Sequence, residues 1–327
     1  MKRVTYRRLS SIGVVFFFFV MLVFPRQVFL GAQNGLLLWF HTVLPALLPF
    51  SIISNILIET NSIKYISNAF GPVLRPIFHV TDQGVFVIVV GFLCGYPLGA
   101  KVIAMLLEKH YISYEEGCYL LSFCNNVSPI FIINFLVCAS LKRPNLIFPV
   151  VTILILTPVC CSFLFRVSFF TLSYKKQFVE YHRAVTTQSI SQLDSTSAKI
   201  FDLTLFNHCM MDSFEIIVVL GGYIMLFSIF FTLLGSLSDS LHLSFLSYLL
   251  PLLEVTNGIT LIQTFSLSFP IKLLFTLSIT SFGGLCALFQ TKHVLQGTGI
   301  SIGNYAIKKL VTMLVTSLLT LCYLFSI

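Results

Sequence analysis

Charge is what this sequence has least of. Of its 327 residues only 10% are Asp, Glu, Lys or Arg, and the mean hydropathy is +0.94. A soluble domain of this length would present far more charge to water, so that class is excluded. The nine cysteines form no C-x-x-C, no histidine stands at metal-ligand spacing, and His208-Cys209 has no partner arrangement. They read as small hydrophobes within apolar segments, not as a disulfide framework or a metal site. No nucleotide-binding motif, paired carboxylates or nucleophile–base set is present either, so neither an enzyme nor a cofactor is expected.

What is there in abundance is apolar sequence. Runs recur at 9–24, 36–58, 84–107, 118–141, 146–172, 208–234, 241–269, 271–290 and 305–326. Most reach the ~20 helical residues that cross a hydrocarbon core. They are not alternating ten-residue strands, which favours an all-α polytopic membrane protein over a barrel. The net charge of +8 sits in short loops and at Lys2, Arg3, Arg7 and Arg8. That pattern orients a membrane protein with its N-terminus in the cytoplasm, and without an aromatic-interleaved basic face it does not point to nucleic acid.

Four regions follow. Residues 1–30 read as an anchor helix; the basic start and "IGVVFFFFVMLVF" also fit a signal peptide, but no small-x-small cleavage site precedes "PRQVFLGAQNG". Residues 31–172 form a first half, 173–206 a polar cytoplasmic linker rich in Ser, Thr and Gln, and 207–327 a second half.

The first half is interrupted by "CGYPLGAKV" at 94–102. Gly95, Gly99 and Lys101 invite comparison with a phosphate loop, but the spacing is one residue short and no Ser or Thr follows the lysine. The flanks "VFVIVVGFL" and "VIAMLL" would also bury a nucleotide in lipid. A broken membrane element remains. Each arm spans about 17 Å, half a bilayer core, so the stretch near 84–108 reads as a re-entrant helical hairpin, with a single kinked span as the alternative. Turning back at 95–97 also keeps the basic linker on the same side as the N-terminus, although Lys142 and Arg143 then fall outside.

The second half repeats this plan. "LSYLLPLLEVTNGITLIQTF" within 242–269 has two short arms, expected to turn at Thr256-Asn257-Gly258. Some 25 residues past each break comes a second interruption, "FCNNVSPIF" (123–131) and "FGGLCALFQ" (282–290). Three crossings separate the hairpins, so they enter from opposite faces as an inverted repeat. Paired breaks of this kind point to a transporter's midplane site.

The candidate site residues follow from those breaks. Gly95 and Gly99, and Gly258 with Thr256 and Asn257, start second arms whose free amides face the midplane. Lys101 adds positive charge there, and Glu254 is its acidic counterpart, an ionisable group costing at least ~2.5 kcal/mol at this depth. With the cationic and acidic tips meeting at a shared hollow, Glu254 is open to proton or cation coupling or to holding Lys101 until an anion displaces it. The alternative is an ion pair with Lys101 that only locks the two hairpins together. Asn125, Asn126 and Ser128 offer donors or, equally, ordinary interhelical bonds. Gly283 and Gly284 belong to the last break. Trp39 and His41 look interfacial, Asp212 and Glu215 stand at a helix entry, and Gln290, Lys292 and His293 read as the inner end of a span.

"GFLCGYPLGAK", "FCNNVSPIFI", "LLEVTNG", "SFGGLCALFQ", "HTVLPALLPFSII" and "GGYIMLFSI" resemble those of the YlbJ-type sporulation integral membrane proteins, built on the nucleoside-recognition (Gate) domain. The likeness runs from about residue 36 to 326. It implies a core like that of concentrative nucleoside transporters and a role in moving dipicolinate across the outer forespore membrane. Cys286 and Ala287 depart from the Ser and bulkier polar residue expected after "FGGL". The implied partners are a small organic anion, the lipid bilayer and a coupling ion, with oligomerisation compatible. A nucleoside or other metabolite carrier, and a non-transporting scaffold of spore assembly, are the alternatives.

Overall fold

The computed structural model describes residues 2–173, 199–242 and 244–326, with side chains over 11–166, 199–242 and 245–326. Most of the polar linker, with Lys175, Lys176 and Arg183, lies outside the described residues, as do the N-terminal basic side chains.

The chain is helical throughout the described residues. Helix α1 (Lys2–Val23) leads into α2 (Pro25–Leu38), which continues through a π-helical stretch, Trp39–Val43, into α3 (Leu44–Glu59). Then come α4 (Ile63–Phe78), α5 (Asp82–Leu93), α6 (Leu98–Glu108), α7 (Tyr114–Cys124), a π-helix Phe131–Leu141 and α8 (Ile147–Ser173). After the linker follow α9 (Leu203–Ser240), α10 (Ser244–Leu249) with a 3-10 turn Leu250–Leu252, α11 (Val255–Thr264), α12 (Phe269–Phe282), α13 (Gly284–Val294) and α14 (Ile302–Phe325).

By length and composition, five stretches among the described residues can cross a membrane: Pro25–Glu59, Pro144–Arg166, Leu203–Ser240, Phe269–Val294 and Ile302–Phe325. A sixth arises if α4 and α5, bent by 93°, are taken as one. The segment expected to span at 9–24 falls in α1, a helix of 22 residues whose apolar part includes Ser11–Val23. The run at 118–141 is not one helix: α7 stops at Cys124, and the chain re-enters a helix at Pro129. Pro129 has no N–H for the ladder, and Asn125 at the C-cap leaves helical geometry. Sequence reading passed over α4 because its apolar residues are spaced around a helix with Lys64, Asn68 and Arg75 between them, not gathered in a run.

The two halves carry the same order: a long helix, a hairpin, a broken helix and a closing helix. The long helices run antiparallel, since Gly31 lies against Ile229, Gly35 against Met225, Trp39 against Gly221 and Asn55 against Ser213. Trp39 fixes this register by donating its indole N–H to the Ile217 carbonyl at 2.9 Å, half-buried against the second long helix. The closing helices are antiparallel too, with Phe165 near Lys308 and Thr157 within 3.3 Å of Thr316. One half therefore stands upside down relative to the other.

In the first hairpin, α5 and α6 fold back on one another. Gly95 at φ +88° makes the turn, a backbone region that a Cβ disfavours. A Cβ on Gly99 would come within 3.3 Å of the Gly91 Cα, whereas a continuous helix would hold those residues about 12 Å apart. Arms α5 and α6 are therefore folded back on each other and do not form one straight helix. Both glycines cradle the Cys124 carbonyl, so the hairpin is seated on the end of α7.

The second hairpin turns earlier than expected, at Leu253–Glu254 and not at Thr256-Asn257-Gly258. Glu254 is the reason. Its backbone is extended and its carboxylate accepts from the Thr256 and Asn257 amides at 3.1 and 2.7 Å, so it caps α11. Thr256, Asn257 and Gly258 are already helical, and Gly258 packs on the Pro251 backbone.

At the linker-side end, the Glu59 carboxylate takes Lys109 at 2.7 Å and Lys199 at 2.8 Å. This joins α3, the foot of α6 and the far end of the linker.

Candidate functional site

Each hairpin tip rests on the broken helix of its own half. Gly95 packs on Ser128, and the Leu253 carbonyl accepts from the Cys286 amide at 2.9 Å. The tips also cross over, because the Tyr96 ring lies 3.7 Å from where a Gly283 Cβ would stand. Both tips and both breaks thus meet in one place. A cavity of about 500 Å³ opens there.

Both hairpin tips, both breaks and both long helices line it. Tip one gives Cys94, Gly95 and Tyr96, and tip two gives Glu254, Val255 and Thr256. The first break gives Val127 and Ser128, and the π-helix after it Phe131, Asn134 and Ala139. The last break gives Gly283, Cys286, Ala287 and Gln290. The first long helix contributes His41, Thr42 and Val43 from its π-helical stretch. Pro45 explains that stretch: it has no N–H for the His41 carbonyl, and the ladder relaxes to Leu44 N–H on Trp39 C=O. Wide turns of this kind recur at functional sites because they re-aim side chains and loosen carbonyls.

Among the described lining residues there is no Lys or Arg, and Glu254 is the one acidic residue. It is 3% exposed and spends both oxygens on its own helix. Around it stand neutral polar groups (Ser128, Asn134, Thr256, Gln290) and aromatic ones (Tyr96, Phe131).

Of the residues expected at the site, Gly95, Ser128, Glu254, Thr256 and Gly283 line the cavity. Gly99 and Gly258 hold the hairpins closed, and Gly284 lies against the Leu252 and Leu253 carbonyls. Asn126 turns back to the Phe123 carbonyl, and Asn257 donates to Ser228 at 2.9 Å. Asn125 donates to Thr291 at 3.0 Å and Tyr305 at 2.7 Å, away from the cavity.

Lys101 is the largest correction. Its ammonium donates to Ser51 at 2.8 Å, and Ser51 continues to Ser213 at 3.1 Å, between the two long helices. It makes no ion pair with Glu254, and the shared hollow of cation and acid does not form. Helical geometry accounts for this. Gly99 faces the Cys124 carbonyl, and two residues further on the side chain points about 200° around the helix.

Sequence reading missed His41, Tyr96, Asn134 and Gln290. Tyr96 and Gln290 lie inside motifs already singled out, and His41 is signalled by the nearby Pro45. Gln290 is buried, donates to Cys286 and forms part of the cavity wall near the end of the Phe269–Val294 stretch.

Part of the first half matches a known domain. Residues 40–140 match the Gate family, described as nucleoside recognition. The matched span runs from beside His41 through tip one and the first break to the end of the π-helix, so it supplies one side of the cavity. The chain is also 26% identical over 311 residues to the sporulation integral membrane protein YlbJ of Bacillus subtilis (strain 168), covering 88% of this chain and 75% of that protein. The motif resemblance is borne out in both parts, Gate domain and YlbJ-type relative. No solved structure matches the chain.

Proposed function

We propose that this integral membrane protein is a carrier acting in sporulation, and that it moves a small organic acid, dipicolinate foremost, through the cavity between the hairpin tips. One observation carries the reading: two inverted hairpins and two helix breaks converge on a single cavity of about 500 Å³. Interrupted helices inside a bilayer are tolerated where they face protein or a polar cavity, and a repeat interface is where carriers hold solute. A scaffold has no need to place a carboxylate there. The similarity to YlbJ supports sporulation as the setting. The orientation follows the basic linker, which puts α3, α6 and the linker ends on the cytoplasmic face, in the outer forespore membrane.

The cavity's chemistry refines the solute. With Glu254 as its fixed charge, a bare dianion is repelled, so the acid travels with its charge offset by protons or by a chelated cation that Glu254 helps to hold. This assigns the coupling ion its place beside tip two. Tyr96 and Phe131 provide faces for a planar ring.

A second reading, a nucleoside carrier, is favoured by the same carboxylate, which accepts well from sugar hydroxyls, and by the Gate description. Purified protein in vesicles decides between them. Dipicolinate uptake that rises with a proton or divalent-cation gradient, and that falls about tenfold in Glu254→Gln as expected for a lost charge-assisted contact, supports the proposal. Uptake of uridine or adenosine with none of dipicolinate overturns it in favour of the second reading.

A further inference from the structure

A second cavity, of about 480 Å³, lies between the start of α7, α8 and the start of α14. Its walls include Tyr114, Cys118, Phe165, Asn304, Tyr305 and Lys308. The surrounding loops stand at the linker end of the molecule: α7 follows the foot of α6, where Lys109 holds Glu59, and Phe165 lies near the end of α8, which runs into the linker. The Tyr114 hydroxyl donates to the Gly299 carbonyl at 3.2 Å and closes the rim between the two loops.

Tyr305 forms the floor of this cavity and is buried. Its hydroxyl accepts from Asn125 at 2.7 Å, and Asn125 also donates to Thr291. Lys309, 3% exposed, donates to the Asn125 carbonyl at 3.2 Å from below. Three residues on from Asn125, Ser128 lines the central cavity and packs on Gly95, the neighbour of Tyr96. Tyr96 belongs to the wall of the central cavity. One layer therefore separates the two cavities: Tyr96, Asn125 and Tyr305, braced by Lys309. The Asn125 Oδ1 is buried in that layer without a hydrogen-bond partner. A buried amide oxygen left unpaired costs ~1–3 kcal/mol, which is a standing bias toward rearrangement of this layer.

The geometry points to the second cavity as the linker-side vestibule of the solute path, a carboxylate-binding site centred on Lys308 and sealed from the central cavity by the Tyr96–Asn125–Tyr305 layer. The inference rests on the carrier reading. Lys308 supplies the cation that the central cavity lacks. Its ammonium donates to the Cys118 carbonyl at 3.1 Å and lies 5.7 Å from the Phe165 ring centroid, so a planar aromatic acid finds a charge and an apolar face side by side. Glu115 stands exposed at the rim, leaving Lys308 as the inner charge.

Native chemistry provides the probe, because Cys118 lines the vestibule and is half-buried. Two chains are made in which the other cysteines are replaced: one keeps Cys118, the other carries Ser128→Cys as the reporter of the central cavity. Both are sealed in vesicles with the linker face outward and treated with a charged methanethiosulfonate. Cys118 is expected to react, and the Ser128→Cys thiol to react about tenfold more slowly, as for a site reached only through an opening fluctuation. Adding Tyr305→Ala removes most of that difference, and dipicolinate slows labelling of Cys118 unless Lys308→Met is present. An unreactive Cys118, or a Ser128→Cys rate unmoved by Tyr305→Ala in protein that remains monodisperse, overturns the proposal. The expected labelling without any solute flux supports the path and sinks the carrier reading alone.

Discussion

Lys101 and Glu254 are both buried ionisable groups in the two hairpins, yet they do different work. Glu254 faces the cavity and starts a helix; Lys101 faces two long helices and ties them to the first hairpin through Ser51. Lys101→Met is therefore expected to lower stability by ~1–3 kcal/mol, the cost of leaving buried hydroxyls short of a partner, and to leave solute affinity within about twofold. Thermal unfolding in detergent and a binding titration separate the two effects. A large loss of affinity with unchanged stability would return Lys101 to the solute. Sequence alone picked out both residues by charge in an apolar setting. It could not say which way a side chain points once two hairpins are packed, since that depends on partners more than 40 residues away, such as Ser51.

At the scale of elements, the hairpins were legible because proline and glycine interrupt apolar runs at half-bilayer spacing. The arms expected for the first hairpin agree with α5 and α6. The second was displaced by a few residues because an Asn-Gly pair reads as a turn, whereas the Glu254 carboxylate caps the backbone earlier and draws Thr256-Asn257-Gly258 into the helix. The two π-helical stretches had no pattern of their own beyond Pro45, and the crosswise α4 lacked an apolar run. Glycine packing at the first hairpin gives a sharp test. A methyl at Gly91 or Gly99 would fall on the Cys124 carbonyl, a backbone atom that cannot step aside. Gly99→Ala is expected to cost more than ~3 kcal/mol and to leave little monodisperse protein on size-exclusion chromatography, whereas Gly222→Ala, with open space around it, should accumulate normally.

For the whole molecule, the inverted plan was readable from the parity of crossings and the paired breaks, while the antiparallel contacts that bear it out lie between residues as far apart as Gly31 and Ile229. Whether the first hairpin dips and returns within one leaflet is a question of sidedness. Thiols introduced by Gln83→Cys and Lys109→Cys are expected to label from the same face of a sealed vesicle, the face that also exposes the linker. Labelling from opposite faces would make α5 and α6 a full crossing and would reverse the second half.

The capping carboxylate of α11 has a further meaning. Glu254 has two oxygens, and the amides of Thr256 and Asn257 already hold one each. A guest that offers a proton or hydroxyl to that group is a rival for lone pairs that keep the first turn wound, a cap of about 1 kcal/mol. Occupancy of the pocket and the winding of α11 are therefore written in the same pair of atoms, so filling the one loosens or tightens the other without any messenger between them.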